Sequence, residues 1–247
     1  MRMRDKVAIV TGAATGMGRA IAIAYAREGA KVVVNYSRSE KEANETLAEV
    51  RAISPASILF KADVSKADEV QAMVDRTVGE FGRVDVLVNN AGYTEFIAFN
   101  DMDKLTEEVW DRTFAVNLKG PWLCSKAVAP IMRRQGSGAI INTSSVAGLR
   151  PEGSSIAYAS SKAAQIMLTQ TLAVALAPQV RVNCIAPGTV MTRWHKDMTP
   201  EGLERRIRNT PLERTGTPED IAQVAVYLAC GSDYVTGQTI AVDGGKR

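Results

Sequence analysis

Lys6-Val7-Ala8-Ile9-Val10-Thr11, followed by Gly12-Ala13-Ala14-Thr15-Gly16-Met17-Gly18, decides how this chain is to be read. The first six residues form a short apolar strand, and the pattern beyond Gly18 is helical through Ala30. Between them the glycines are spaced G-x-x-x-G-x-G. Glycine tolerates positive φ and lets backbone approach a ligand closely. The helix that follows then turns free N–H groups and a partial positive charge toward a pyrophosphate. A glycine cluster also serves as a plain turn; its place between a strand and a helix favours dinucleotide binding. Gly12, Thr15, Gly16, Met17 and Gly18 are therefore candidate cofactor contacts.

The same alternation continues outward. Lys31 to Asn35 reads as the second strand and Glu40 to Val50 as an acidic helix. Ser57 to Lys61 is a third strand, Ala67 to Phe81 an amphipathic helix, and Val84 to Val88 a fourth strand. Strands alternating with helices imply a parallel sheet with ligands outside its carboxyl ends. Each such end carries polar or small residues. Strand two ends in Asn35-Tyr36-Ser37-Arg38, where an NAD-binding unit usually places a carboxylate on the ribose 2′-hydroxyl. Asn35 does not repel a 2′-phosphate, Ser37 can donate to it and Arg38 can neutralise it. This favours NADP(H) over NAD(H), with a solvated Arg38 as the alternative. Asp63, ahead of Val64, either accepts from an adenine amino group or caps the next helix, and Ser65 is a second candidate cap. Asn89-Asn90-Ala91-Gly92 suits two asparagines that tie neighbouring loops and an Ala-Gly step that passes close to a ligand.

Composition narrows the class. At 247 residues, 46% hydrophobic and 6% aromatic, the chain can bury a large aliphatic core as one domain, 1–247. No run approaches the roughly 20 apolar residues of a membrane span, and strand one begins too early for a signal peptide. Thirty basic and 27 acidic residues give a dispersed +3, not a nucleic-acid footprint. Cys124, Cys184 and Cys230 are odd in number and far apart, which fits a reducing cytoplasm and neither a disulfide framework nor a metal site.

The chemistry is concentrated between Asn142 and Lys162. Tyr158 and Lys162 are four apart, on one face of a helix. An ammonium beside a phenol draws its pKa from about 10 toward neutrality, where it can act as general acid or base. Ser145, after an apolar run, can hydrogen-bond the same substrate oxygen. Alone, Y-x-x-x-K also describes the wet face of a surface helix; it needs the other motifs.

Taken together and in this order, the glycine turn, N-N-A-G at 89–92, Ser145 and Tyr158-x-x-x-Lys162 resemble the short-chain dehydrogenase/reductase family from Lys6 to Gly245. The resemblance implies an α/β Rossmann-type doubly wound sheet of about seven parallel strands. It implies reversible reduction of a carbonyl to a secondary alcohol, with Tyr158 as general acid, Ser145 orienting the oxygen, and Lys162 tuning Tyr158 and bonding the nicotinamide ribose. Asn117 matches the asparagine that kinks its helix and holds a relay water. Pro187-Gly188 matches the turn against the nicotinamide, followed by Val190, Thr189 and Thr192 for carboxamide and phosphate. No metal is needed.

Within the family the nearest likeness is to 3-oxoacyl-(acyl-carrier-protein) reductases. A sugar or polyol dehydrogenase is the enzymatic alternative, and a non-catalytic dinucleotide-binding regulator is the other. Arg133 and Arg134 stand where an acidic carrier could dock, although the helix 169–177 lacks the basic residue that carrier-linked members place near its end. Residues 191–212 read as a substrate lid, with Trp194, Met198, Leu203 and Ile207 on one apolar helical face among Arg193, Lys196, Arg205, Arg206 and Arg208. His195, placed on the lid, reads either as a substrate contact or, more simply, as a solvated polar residue. The helices 169–177 and 120–131 are nearly charge-free, and a helix apolar all round must be covered. The family covers such helices with a second subunit, which implies a homotetramer.

Overall fold

In a computed structural model, which describes residues 1–195 and 198–246, seven strands form a single parallel sheet. They are β1 (Val7–Val10), β2 (Lys31–Tyr36), β3 (Ile58–Lys61), β4 (Val86–Asn89), β5 (Gly138–Thr143), β6 (Val180–Pro187) and β7 (Thr239–Val242). The order is β3-β2-β1-β4-β5-β6-β7. The chain thus builds outward from β1 to one edge, returns to β4, and builds to the other edge. The carboxyl ends of β1 and β4 diverge at that reversal and leave a crevice between their loops.

Parallel neighbours need crossovers, supplied here mainly by helices α1 (Gly16–Arg27), α2 (Glu40–Ile53), α3 (Ala67–Phe81), α4 (Glu107–Phe114), α5 (Gly120–Gln135), α6 (Ile156–Leu176), α7 (Pro200–Arg208) and α8 (Pro218–Cys230). Strand side chains alternate between faces, and helices cover both, which explains why the strand centres are apolar on both sides. Ala8, Val10, Val32, Val34, Val86 and Val88 pack with α1, α2 and α8, while Ile9, Val33, Leu87 and Ile140 pack with α3, α5 and α6. Tyr25, the largest fully buried side chain, keeps its hydroxyl satisfied by donating to the Ala225 carbonyl at 3.0 Å.

Local signals place the helix ends. Thr217 and Asp220 form the capping box of α8, with Thr217 N–H donating to Asp220 at 2.8 Å. The first helix stops at Arg27 rather than running through Ala30, because Gly29 at φ +95° turns the chain into β2. The lid segment also differs from one continuous helical face. Trp194 lies in a 3-10 turn, Arg193–His195, and α7 starts only at Pro200, with the Thr199 hydroxyl accepting from Gly202 N–H at 3.1 Å. A proline at a first helical position ends any backward extension, having no N–H to give and a ring that crowds the preceding turn. Trp194 therefore points independently of Leu203 and Ile207; Lys196 lies outside the described residues.

Candidate active site

Two loops at the β1–β4 crevice are stapled by side chains. The Thr11 hydroxyl accepts from the N–H groups of Asn90 and Ala91 at 2.9 and 3.1 Å, and the Asn90 amide donates to the carbonyls of Thr11 and Gly12 at 3.0 and 3.2 Å. Behind them Asn89 donates to Asn142 at 2.8 Å and so joins β4 to β5. The asparagines do what their place at a strand end suggests. Gly12 and Gly16 have φ of +62° and +57°, and a Cβ on Gly12 would stand 2.8 Å from Ala91 Cα. The N-cap Thr15 makes no side-chain cap bond, so the first N–H groups of α1 are not spent on it.

Gly12, Thr15, Gly16, Met17, Asn90, Ala91 and Gly92 line a cavity of about 500 Å³, a size typical of small-molecule sites. Ser37, Arg38, Asp63 and Val64 line its far end; Pro187, Gly188, Val190 and Thr192 line the near end. Thr189 does not share the lining: its hydroxyl accepts from Arg206 at 3.0 Å. Gly18 supports the turn from behind, where a Cβ would strike the Gly12 carbonyl and the Asn90 amide.

Two residues at the far end carry contacts that the sequence does not show. Asn35 is buried, accepts from Gly12 N–H at 3.2 Å, and donates to the carbonyls of Phe60 and Ala62 at 3.3 and 3.1 Å. Its amide holds the glycine turn to β3 while the residue also lines the cavity wall. Asp63 does not cap α3, whose N-cap is Lys66. It accepts from the N–H and hydroxyl of Ser65 at 3.0 and 2.7 Å and from Arg112 on α4 at 2.8 Å. Burial opposes its charge, but the Ser65 and Arg112 hydrogen bonds outweigh it and hold the carboxyl at about 2. Nothing local in the sequence pairs positions 63 and 112.

At the other end α6 is capped by Ser155, whose hydroxyl accepts from Tyr158 N–H at 3.2 Å. This starts the helix three residues before Tyr158 and puts Tyr158 and Lys162 on the face that meets the cavity. The Ser145 turn is locked to the same helix: Ser144 donates to the Lys162 carbonyl at 2.8 Å, and Gly148 packs so tightly that a Cβ would stand 2.7 Å from that carbonyl. Asn117 lies in a π-helical turn, Ala115–Lys119, a distortion that recurs at functional sites. Its amide accepts from Tyr93 N–H at 2.8 Å and donates to the Tyr93 carbonyl and Ser161 at 2.9 and 3.1 Å, bracing the loop after β4 against α6. Trp194, which the sequence did not connect with catalysis, meets Tyr158 edge to face at 6.2 Å and covers Gly92. His195 is half-buried on the cavity wall; burial and then Arg206 push its pKa down.

A family model described as enoyl-(acyl carrier protein) reductase matches residues 12–247. The chain is 40% identical to 3-oxoacyl-(acyl-carrier-protein) reductase FabG of Staphylococcus epidermidis over 98% of both chains. Among solved structures, levodione reductase superposes with a TM-score of 0.92 at 33% identity, covering 98% of each chain. A 7α-hydroxysteroid dehydrogenase complexed with NADH and 7-oxo glycochenodeoxycholic acid superposes at 0.91 with 34% identity, covering 99% of this chain and 95% of that one. This protein is a short-chain dehydrogenase/reductase. It is accordingly an oxidoreductase acting on the CH-OH/carbonyl pair.

In this short-chain dehydrogenase/reductase Lys162 is held beside the Tyr158 ring by carbonyl groups. Lys162 Nζ donates to the Thr143 carbonyl at 2.7 Å and to Gln165 Oε1 at 3.2 Å, and lies 5.7 Å from the Tyr158 ring centroid. Burial pushes the phenol up to about 12, with only the Ser145 hydrogen bond pulling it down. Burial also pushes Lys162 down to about 8, against the pull of nearby Cys184. Burial thus acts on both groups against their charged forms, raising the phenol and lowering the ammonium.

Proposed function

We propose that the protein is an NADP(H)-dependent reductase of 3-oxoacyl thioesters or related ketones. One observation carries this reading: the Tyr158 phenol, the Ser145 hydroxyl and the Lys162 amine share one cavity with a glycine turn and a helix start that no side chain caps. The residues fit a dinucleotide. The uncapped N–H groups suit a pyrophosphate, and of the three donors of an ammonium Lys162 has spent two, leaving one for a ribose hydroxyl. When bound, the nicotinamide supplies hydride to the carbonyl carbon. Tyr158 gives its proton to the carbonyl oxygen, Ser145 orients that oxygen and stabilises its growing charge, and Asn117 holds the loop that frames them. Trp194 and Phe96 offer the substrate an apolar wall. The name of the Staphylococcus relative supports the thioester over a sugar or polyol, and the complete proton-donating set argues against a non-catalytic regulator.

A carrier-linked substrate is part of this reading. Arg133 of α5 donates to the Ala175 carbonyl at 2.5 Å, which puts a basic residue beside the end of α6 that has none of its own. The three free cysteines suit the cytoplasm. Residues 1–247 are read as one domain with 191–212 as its lid. The test is NADPH and NADH oxidation over 3-oxoacyl thioesters, enoyl thioesters, ketones, diketones and sugars. The 3-oxo or ketone substrates are expected to give the highest kcat/KM; turnover confined to sugars or to the enoyl double bond would overturn the assignment.

NADPH is expected to beat NADH, because β2 ends without a carboxylate and Ser37 and Arg38 line the adenosine end. A charge-assisted hydrogen bond is worth roughly 1.5–3 kcal/mol, or about ten- to a hundredfold, so Arg38→Ala should narrow the preference by that factor. A wild-type preference for NADH would show that Arg38 is only a solvated loop residue.

The assembly is proposed to be a homotetramer with perpendicular dyads. Met167 and Val174 on α6 are 58% and 83% exposed within one subunit, and Trp122 on α5 is 43% exposed. Val174→Glu would bury an unpaired carboxylate twice at such a seam, at several kcal/mol per copy. The variant should dissociate and lose activity in sedimentation and rate assays; a Val174→Glu protein that remains tetrameric and active would place the seam elsewhere.

A further inference from the structure

Gln165 follows Lys162 by three residues on α6 and is fully buried. Its Oε1 accepts from Lys162 Nζ at 3.2 Å, while its Nε2 is buried with no hydrogen-bond partner. An unpaired interior amide costs about 1–3 kcal/mol, which an apolar side chain of similar volume would not incur. Packing alone therefore gives no reason for glutamine here. The end of the side chain that has a partner is the carbonyl, and that partner is the ammonium of the active site.

The surroundings of Lys162 sharpen the point. The strand behind it, β6, brings Cys184, whose thiol is pushed up by burial. The turn after β5 brings the Thr143 carbonyl, Ser144 and Ser145, and the π-helical turn brings the uncharged Asn117. On α4, Arg112 is paired with Asp63. On α5, Lys126 lies over Trp122. On α6 itself the other titratable group beside it is Tyr158. No carboxylate forms an ion pair with Lys162 among the described residues, so this buried cation rests on two dipoles, the Thr143 carbonyl and the Gln165 amide.

We propose that Gln165 is a positioning residue: its Oε1, with the Thr143 carbonyl, anchors the Lys162 ammonium from behind, fixing its place by the Tyr158 ring and prolonging its protonation as pH rises. Two anchored donors leave the third with a defined direction. This inference rests on the proposed role of Lys162 toward Tyr158 and the ribose, and deepens it. A hydrogen bond to the charged form favours that form, so losing the acceptor lets the proton leave at lower pH, and a carboxylate in its place retains it to higher pH.

The experiment is the titration of Lys162 Nζ by nitrogen-15 NMR in the cofactor-free protein, for wild type, Gln165→Leu and Gln165→Glu, beside the pH dependence of NADPH binding. Gln165→Leu should be at least as stable as wild type to urea, yet lose the lysine proton about tenfold more readily, the scale of one hydrogen bond to a charged group. The alkaline loss of NADPH affinity should move to lower pH by the same factor. Gln165→Glu should move both midpoints to higher pH. A Gln165→Leu protein whose Lys162 titrates as in wild type, or a Gln165→Glu protein whose midpoint does not rise, would overturn the proposal; the second arm decides if the first variant does not fold. The NMR readout needs no turnover, so inactivity of wild type toward every carbonyl would sink the proposed reaction and leave this titration result standing.

Discussion

Tyr158→Phe is expected to reduce kcat by about 10² to 10⁴-fold, the usual contribution of a general acid, while leaving cofactor affinity nearly intact. The substitution removes one oxygen and keeps the ring, with its edge-to-face contact with Trp194 and the Lys162 amine over its face. The cap of α6 is made by the backbone of residue 158, not its side chain, so the helix start survives. Stopped-flow rates and fluorescence titration with NADPH separate the two effects. A Phe variant with more than about a tenth of wild-type activity would remove Tyr158 from the role.

Gly12→Ala is expected to damage the fold and the cofactor site together. A left-handed φ costs a non-glycine residue about 1–2 kcal/mol, and the Cβ would stand 2.8 Å from the Ala91 backbone, adding overpacking of about 1–3 kcal/mol. The sum, about 2–5 kcal/mol, corresponds to a Tm lower by roughly 4–20 °C for a chain of this length. Because the displaced loop is the one stapled by Asn90, NADPH should no longer raise the Tm. Gly79→Ala is the control: nothing lies within 4 Å of its Cβ position in α3, and a helical glycine replaced by alanine gains about 0.5–1 kcal/mol. Equal Tm values for Gly12→Ala and wild type would show that the β1 loop tolerates a side chain and that the stapled crevice is not rigid.

Much of this site was legible because its signals are local. A strand, a positive-φ glycine turn and a helix start are neighbours in sequence, and Tyr158 and Lys162 share a helix face by spacing alone. The π-helical kink at Asn117 was reached through resemblance. Other roles were hidden because long-range partners decide them. Whether Asn35 faces a ribose or the Gly12 turn depends on where the Phe60 and Ala62 carbonyls fall, and whether Asp63 meets an adenine depends on Arg112, 49 residues away. The burial of Lys162, which pushes its pKa down to about 8, is set by the strands behind it and no spacing encodes it. The lid was misjudged for a local reason: Pro200 is visible in the sequence, and its power to start a helix at that point was given too little weight beside the apolar pattern running through it.

The central claim is that this cavity carries hydride and proton to a carbonyl rather than only binding a dinucleotide. The most direct measurement is a single turnover with NADPH deuterated at the transferred position of the nicotinamide C4 and a short 3-oxoacyl thioester, followed by mass spectrometry and NMR of the product. The account predicts a 3-hydroxyacyl thioester carrying one deuterium on the carbinol carbon from wild type, and unchanged substrate from Tyr158→Phe on the same timescale. Unchanged substrate from wild type with NADPH demonstrably bound, or deuterium at a carbon other than the carbinol carbon, would contradict it.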